Sequence, residues 1–542
     1  MRSLIALLVP LLVIAPLVAS QEDHHHALTA EEVGSVHFST SCRADLAASF
    51  DRSVALLHSF QYEDARGTFT EIAGKDPQCA MAQWGVAMSD YHGLWGNGDT
   101  AAGRAALKQA QQIAAGNAKT TPREAAYIDA LAEIYREDGK DTRTHNKAFE
   151  QKMGALQVAY PADDEAAIFH ALSLAITAPE TDKTFANQRK CGEILEPIFA
   201  RQPHHPGIAH YLIHCYDNPM LAEKGLGAAR TYAKIAPASA HANHMPSHLF
   251  TRVGSWDESI SSNIRSAELA AAAEATSKSS EARDQRLHAM DYLEYAYLQS
   301  GRVSKAKAVL DEMNSLPPSP GVTVPGGYAL AAIPPRYTIE LGAWEQASQL
   351  QVREEGGPWM QAITWCAIGV GSARSKNLQR AGQAEEKLAA LRDAIAKQNN
   401  SYWSNQVEVQ RREVAAWIAE QNAKPADALQ LARAAAELEE SMDKSGVTPG
   451  SVTPAREMLA ELLLLGRHPK ESLVEYQSAL KISPNRFNAL YGAATAAESA
   501  GDASAASGYF RKLIEVAVGD ERLELRAARA KLVAEKASTA RP

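Results

Sequence analysis

Apolar residues along this chain recur at three- and four-residue intervals, and the alternating β-branched runs that build strands are nearly absent. That pattern predicts helices throughout, each with one apolar stripe. The stripes themselves repeat. Ser472, Tyr476 and Ala479 trace a small-large-small line with Pro484 after it, and the positions 34 residues on hold Ala506, Phe510 and Leu513. The same line occurs near the start as Ala65, Phe69 and Ile72, followed by Pro77. A hairpin of two short helices cannot bury its apolar face alone, so successive hairpins must stack. The expected fold class is all-α, a helical-repeat superhelix or α-solenoid.

A period of 34 residues, with a small residue, an aromatic and a closing proline in the second helix, is the tetratricopeptide (TPR) pattern. Pro203 and Pro237 are also 34 apart, and each precedes a new first helix. A further unit begins near Leu287 and has Ala306, Leu310 and Met313 in its second helix, with Pro318 after them. Between Leu316 and Pro335 the run LPPSPGVTVPGGYALAAIPP holds six prolines and three glycines. It reads as a connection that interrupts the array before a helix resumes at Arg336. The expected divisions are 1–20 a signal peptide, 21–40 a flexible N-terminal arm, 41–135 TPR-like repeats and 136–316 histidine-rich TPR-like repeats. They continue as 317–335 the Pro/Gly-rich connection, 336–445 helical repeats and 446–542 C-terminal TPR repeats.

Met1-Arg2, an apolar run from Leu4 to Val18 and then Ala19-Ser20-Gln21 have the layout of a secretory signal peptide. Pro10 and Pro16 interrupt the run, which falls short of the roughly 20 residues a spanning helix needs. The expectation is a periplasmic or secreted protein with no membrane span once the signal is removed. A formal net charge of −9 with scattered charges argues against nucleic acid as a partner. Five cysteines in an exported chain invite a disulfide. Cys42 and Cys79 flank the first repeat and are the expected pair; Cys191, Cys215 and Cys366 are expected as buried thiols. No Cys-x-x-Cys occurs.

Sixteen of the 17 histidines precede residue 289. His210 and His214 lie four apart in HPGIAHYLIHCYDNP, and His244 and His248 lie four apart in HANHMPSHLFTRVGSW. Each member of the first pair is 34 residues from its counterpart in the second, and His58 and His92 are 34 apart as well. Histidine thus recurs at equivalent repeat positions. On their helix, His210 and His214 fall off the stripe formed by Ala209, Leu212, Ile213 and Tyr216. His241, His244 and His248 fall opposite Met245, Leu249, Phe250 and Val253, with Pro246 in the opening turn. His288 and Asp291 share a face in the following unit. The flank they occupy is expected to face the concave groove of the array. Imidazoles at this spacing, on helices about 8–10 Å apart, suit metal ligation. The candidate ligands are His210, His214, His244, His248, His241, His288 and Asp291, with Asp217 also near. A histidine-only set favours copper, and iron or zinc if a carboxylate joins. The first pair is HYLIH, without the glutamate of a zinc protease.

Plainer roles fit other residues. His58 and His92 read as structural or groove-polar, His170 as a satisfied core residue, and His24-His25-His26 as a solvated tail. Tyr211, Tyr216 and Trp256 read as packing aromatics, and Arg336 with Glu340 as a surface ion pair. No Gly-x-Ser-x-Gly elbow, phosphate-binding loop or dinucleotide fingerprint is present, so no catalytic residue and no organic cofactor site is assigned.

VHFSTSC, DPQCAMAQWGVAMS, the two histidine motifs, HAMDYLEYAYLQSG and AAIPPRYTIELGAWEQA resemble a group of exported bacterial TPR proteins, over most of residues 36–380. Gln83 and Asp90-Tyr91 depart from that group's pattern. The resemblance implies an all-helical superhelix and export, and no activity. Two functions stay open at this point. One is a repeat protein that binds a protein, peptide or small-molecule partner in a histidine-lined groove, with or without a transition metal. The other is a metal-dependent oxidoreductase or hydrolase. Storage or delivery of metal is a third reading.

Overall fold

The computed structural model describes residues 28–94, 98–277, 280–318, 321–353 and 357–539, so the expected signal peptide and His24, His25 and His26 lie outside the described residues. Among the described residues helices follow one another without a strand. The small-large-small lines are what stack them. Ala65, Phe69 and Ile72 are buried at one end, and Ser472, Tyr476 and Ala479 at the other. Each aromatic lies on a glycine of the next first helix. A Cβ on Gly85 would stand 2.3 Å from the Phe69 ring, and one on Gly492 2.2 Å from the Tyr476 ring. Both glycines follow their aromatic by 16 positions, so the same close approach recurs at both ends of the array.

The array also returns upon itself. Trp256 Nε1 donates to the Asn485 carbonyl at 3.0 Å, Phe487 N–H to Gln299 Oε1 at 2.9 Å, and Val518 N–H to the Ser300 carbonyl at 2.9 Å. Gly254 makes this closure possible. Its φ is +68°, and a Cβ there would lie 2.3 Å from the Pro484 carbonyl oxygen. Farther along, Asp443 N–H donates to the Glu180 carbonyl, and Tyr292 OH donates to the Thr448 carbonyl at 3.0 Å. The segment 443–450 therefore lies against the histidine-rich repeats.

Several expectations change. The run read as a connection over 317–335 enters a helix, Val324–Glu340, that passes through Pro334 and Pro335. Pro325 sits in its first turn, where a missing N–H costs nothing. Tyr328, Ala329, Ala332 and Ile333 are buried, and that burial works against the roughly 3 kcal/mol that each of the two interior prolines costs. The arm expected at 21–40 is held down over its described part. Val33 and Phe38 are buried, and Ser35 N–H donates to the His204 carbonyl at 3.0 Å. Cys42 and Cys79 form the expected disulfide, with Cα atoms 4.8 Å apart. Cys191 and Cys215 are not thiols but a second disulfide, Cα atoms 6.2 Å apart. They lie on the adjacent helices Ala186–Arg201 and Pro206–Tyr216, whose mutual register faces one toward the other. Cys366 is a buried thiol, as expected.

Candidate metal centre

Four consecutive first-helix segments bring six imidazoles together. His210 and His214 come from Pro206–Tyr216, which opens on a proline at its first turn. His241 and His244 come from Ala240–His244, capped by Ser239 Oγ accepting from Ala242 N–H. His248 comes from Pro246–Arg252 and His288 from Ser280–Gln299. Pro246 does not open the helix that carries His244 and His248. It divides one helical path at Met245, whose backbone stays helical at φ −52° and ψ −37°, so both rings keep their i,i+4 relation.

The rings form two triads. In the first, His210 Nε2 lies 3.0 Å from His214 Nε2 and 2.9 Å from His241 Nε2. In the second, His244 Nε2 lies 3.0 Å from His248 Nε2, and the His244 and His288 ring centres are 4.3 Å apart. In each triad one nitrogen per ring falls within 4.8 Å of the others. The triads adjoin, with ring centres 6.1 Å apart for His214 and His248 and 6.3 Å for His241 and His244. The rings are not spread along an open groove, as the repeat position suggested. His210 is 0% exposed, His241, His244 and His248 2% each, and His288 4%; His214 alone is partly exposed.

The positions of the protons decide what these contacts are. A neutral imidazole carries one N–H. His210 Nδ1 donates to the His58 carbonyl at 2.6 Å. His244 Nδ1 donates to Asn263 Oδ1 at 2.7 Å, and Asn263 Nδ2 donates to the Ser259 carbonyl, which fixes the amide orientation. His248 Nδ1 donates to Asp217 Oδ2 at 2.9 Å. The Nε2 atoms of His244 and His248 are therefore both bare, and their lone pairs face each other at 3.0 Å. Neutral rings in these tautomers cannot hydrogen bond in that arrangement; a cation between them, a proton or a metal ion, would satisfy both lone pairs. A proton fits poorly. Burial, then the neighbouring His248, holds His244 well below the ordinary imidazole value. Burial also lowers His248, against the pull of Asp217. Burial and His214 depress His210, burial and His210 depress His241, and burial and His244 depress His288. His214 is pushed down to about 3 by burial and by His248. A metal ion fits well, because two imidazoles bound at about 2.0–2.1 Å stand about 2.9–3.4 Å apart, nitrogen to nitrogen. Hydrogen bonds from the far ring nitrogen to a carbonyl, an amide and a carboxylate are the supports that ligating histidines carry.

A third cluster has similar residues and opposite bookkeeping. His58 Nε2 and His205 Nε2 lie 2.9 and 2.8 Å from the two oxygens of Glu165, and Tyr211 OH lies 2.9 Å from His58 Nδ1. With Nε2–H donating to Glu165 and Tyr211 donating to His58, every one of these contacts is a satisfied hydrogen bond between ordinary species. His58 is thus structural, as expected. His92 stacks on Tyr62 and bonds the Ser89 carbonyl, and His170 bonds Gln157. Cys42 and Cys79 approach Asp76 with their sulfurs already joined in the disulfide.

Six of the seven expected ligands are brought together. Asp291 is not: its carboxylate bonds the Arg336 guanidinium, and both side chains are fully buried. Arg336 and Glu340 are accordingly no surface pair, since Arg336 bonds Asp291 and Glu294 while Glu340 bonds Arg486 at 2.7 Å. The carboxylate beside the centre is Asp217. Burial alone would raise it, but Lys444, Arg252 and His248 outweigh that and hold it ionised. Asn263 and Lys444 face the centre without any signal in the sequence that marks them, while Arg252 and Tyr292 lie within the motifs HANHMPSHLFTRVGSW and HAMDYLEYAYLQSG but carry no residue type that points to a metal. Asp217, within HPGIAHYLIHCYDNP, was close enough to the motif to be noticed.

No protein-family model and no curated protein sequence matches the chain. Its fold is similar to solved helical-repeat structures. Yeast Tom70 matches at 12% identity and a TM-score of 0.30, over 75% of this chain and 96% of that one. A human IFIT1 dimer with PPP-AAAA matches at 10% and 0.36, over 86% and 90%. The TPR domain of P58(IPK) matches at 12% and 0.23, over 69% and 99%. Nothing that those proteins bind transfers to this chain at such identities. The stacked hairpins themselves make the architecture an all-α, TPR-like solenoid.

Proposed function

We propose that this protein is an exported copper protein that holds two ions side by side, one on His210, His214 and His241, the other on His244, His248 and His288, and that it works as an oxidoreductase. The observation that carries the reading is the pair of bare Nε2 atoms of His244 and His248, 3.0 Å apart with both Nδ1 protons already committed. Neither triad contains a carboxylate or a thiolate, and neutral imidazole sets of this kind suit copper. Copper would supply electron transfer at the centre. The chain would fix the ring tautomers, exclude bulk water and keep the two sites adjacent. The hydrolase reading has less support, since Asp217 is engaged by His248, Arg252 and Lys444 and is not free to take a proton from water. Two disulfides agree with an oxidising compartment and hence with export.

Elemental analysis of protein purified without a histidine tag tests this. Two coppers per chain are expected, falling to one in His210→Ala and to one in His244→Ala. Paramagnetic resonance on the fully oxidised protein then asks whether the ions interact: a signal well below the copper(II) content, restored on denaturation in acid, indicates a coupled pair. Zinc in place of copper would defeat the oxidoreductase reading, and a metal-free protein that stays metal-free in copper buffer would defeat the site.

A further inference from the structure

A cavity of about 600 Å³ lies where the returning segment 443–454 meets the histidine-rich repeats, and Arg252, Lys444, Glu413 and Glu439 are among its lining residues. That is the size of an ordinary small-molecule site. Its charges do not balance evenly. Arg252 is matched by Asp217 and Asp443, Arg486 by Glu340 and Glu457, and Arg456 by Glu440 and Glu475. Lys444 bonds Asp217, and the remaining lysines of the wall, Lys183 and Lys481, are exposed to solvent.

Two carboxylates are left over. Glu413 is fully buried and bonds only uncharged groups, accepting from Thr453 Oγ1 at 2.5 Å and from Cys366 Sγ at 3.5 Å on Oε2. Its Oε1 has no hydrogen-bond partner among the described residues, and neither has the buried Oε1 of Gln410, one helical turn away on the same wall. Glu439 accepts from Ser451 Oγ and Ala455 N–H, again without a cation. A buried carboxylate next to a second one is costly to leave unpaired. Burial and Glu439 accordingly push Glu413 up from its ordinary value. With no cation on this wall Glu413 is held toward its neutral form, and a positively charged donor placed against it would favour the carboxylate. Tyr328 and Trp403 line the same cavity, the latter stacked on Trp359 with ring centres 4.1 Å apart. Aromatic faces of this kind receive an apolar body or the face of a cation.

We infer that this cavity binds a small organic amine in its ammonium form, the N–H groups donating to Glu413 Oε1 and Gln410 Oε1 and an apolar body lying against Tyr328 and Trp403. The inference stands apart from the metal reading, because none of these residues touches a histidine of either triad. A bare divalent cation is a poorer occupant: the cavity is far larger than an ion, and the carboxylates do not converge into a ligand set.

Calorimetric titration of the full chain with phenethylammonium, tryptammonium and cyclohexylammonium tests it, with 2-phenylethanol as the uncharged comparison. At least one amine should bind, and at least 10-fold more tightly than the alcohol. Glu413→Gln keeps the shape and the Thr453 contact but removes the charge, and should weaken the amine at least 10-fold without changing the metal content. Gln410→Ala, a milder change, should weaken it severalfold and covers the case in which the first variant does not fold. Failure of all three amines to bind, equal binding of the alcohol, unchanged affinity in both variants, or displacement of the amine by equimolar calcium or magnesium would each overturn the proposal.

Discussion

Asn263 is a small residue with a large assignment. It accepts from His244 Nδ1, and its own amide is locked by Ser259, so the ring nitrogen facing the centre stays bare. Asn263→Ala should leave the fold intact yet lower copper affinity at the His244 site by about 10–100-fold, the usual cost of losing such a support. The His210 site should keep its affinity, which chelator competition can resolve site by site. Glu165 serves as the contrast. Burial works to raise it, but His205 and His58 prevail and hold its carboxyl well below the ordinary range. A depressed carboxylate contributes stability that is complete above its unfolded value of about 4.3 and is lost as pH falls toward the folded value. Denaturant midpoints should therefore drop below pH about 4.3 in the native protein, and more shallowly in Glu165→Ala. That variant should also lose roughly 2–6 kcal/mol at neutral pH, because two buried imidazole donors are left unmet. The candidate histidines were legible because their type stands out in the sequence, and His210, His214, His244 and His248 also recur at 34 residues. Asn263 and Glu165 were not, since an asparagine and a glutamate become distinctive only by what they face.

At the scale of elements, the period was legible wherever a small-large-small line survives, and the errors fall where local chemistry points away from packing. Proline opposes helix by its own geometry, so Val324–Glu340 was read as a connection; only the burial of its apolar side chains, a tertiary fact, keeps the helix through Pro334 and Pro335. Cys191 and Cys215 went unpaired in the sequence because their approach depends on the rotation of two helices about their axes, which spacing alone does not give. That bond has a consequence for the centre. It ties Ala186–Arg201 to Pro206–Tyr216, the helix that carries His210 and His214, across 24 residues. Closing a loop of this length restricts the unfolded chain by about 3 kcal/mol. Cys191→Ala with Cys215→Ala should lower thermal stability accordingly. It should loosen copper at the His210 triad more than at the His244 triad, seen as selective loss of one equivalent to a mild chelator. Equal loss from both would mean that the helix holds its place without the bridge.

Taken as a whole, the molecule departs from the behaviour expected of a linear array. Repeats in a solenoid normally touch only their neighbours, and stability is then a sum of local terms along one dimension. Here Arg486 reaches across the array. It bonds Glu457 in its own neighbourhood, Glu340 at 2.7 Å and Tyr295 OH at 3.0 Å, partners 146 and 191 residues away in sequence. The guanidinium is 3% exposed and Glu340 1%, so this is a buried ionic knot between distant repeats. The sequence offered no sign of it, because the pairing exists only once the superhelix has turned far enough for its C-terminal units to meet residues 254–300. Removing one partner from a buried network leaves the others uncompensated, a loss of about 3–5 kcal/mol. Arg486→Ala should therefore do more than lower stability. With the cross-link gone and two carboxylates facing an apolar seam, the C-terminal repeats should detach before the rest unfolds. Urea denaturation should change from one transition to two, with amide exchange rising first around Phe487 and Gln299. Replacing Glu340, Glu457 and Arg486 together by apolar residues of similar size should restore a single transition, since the cost comes from stranded charge and not from the lost bond itself. A single transition in Arg486→Ala, shifted as a whole, would instead show that the backbone contacts at Gly254, Ser300 and Asn485 suffice to hold the closure.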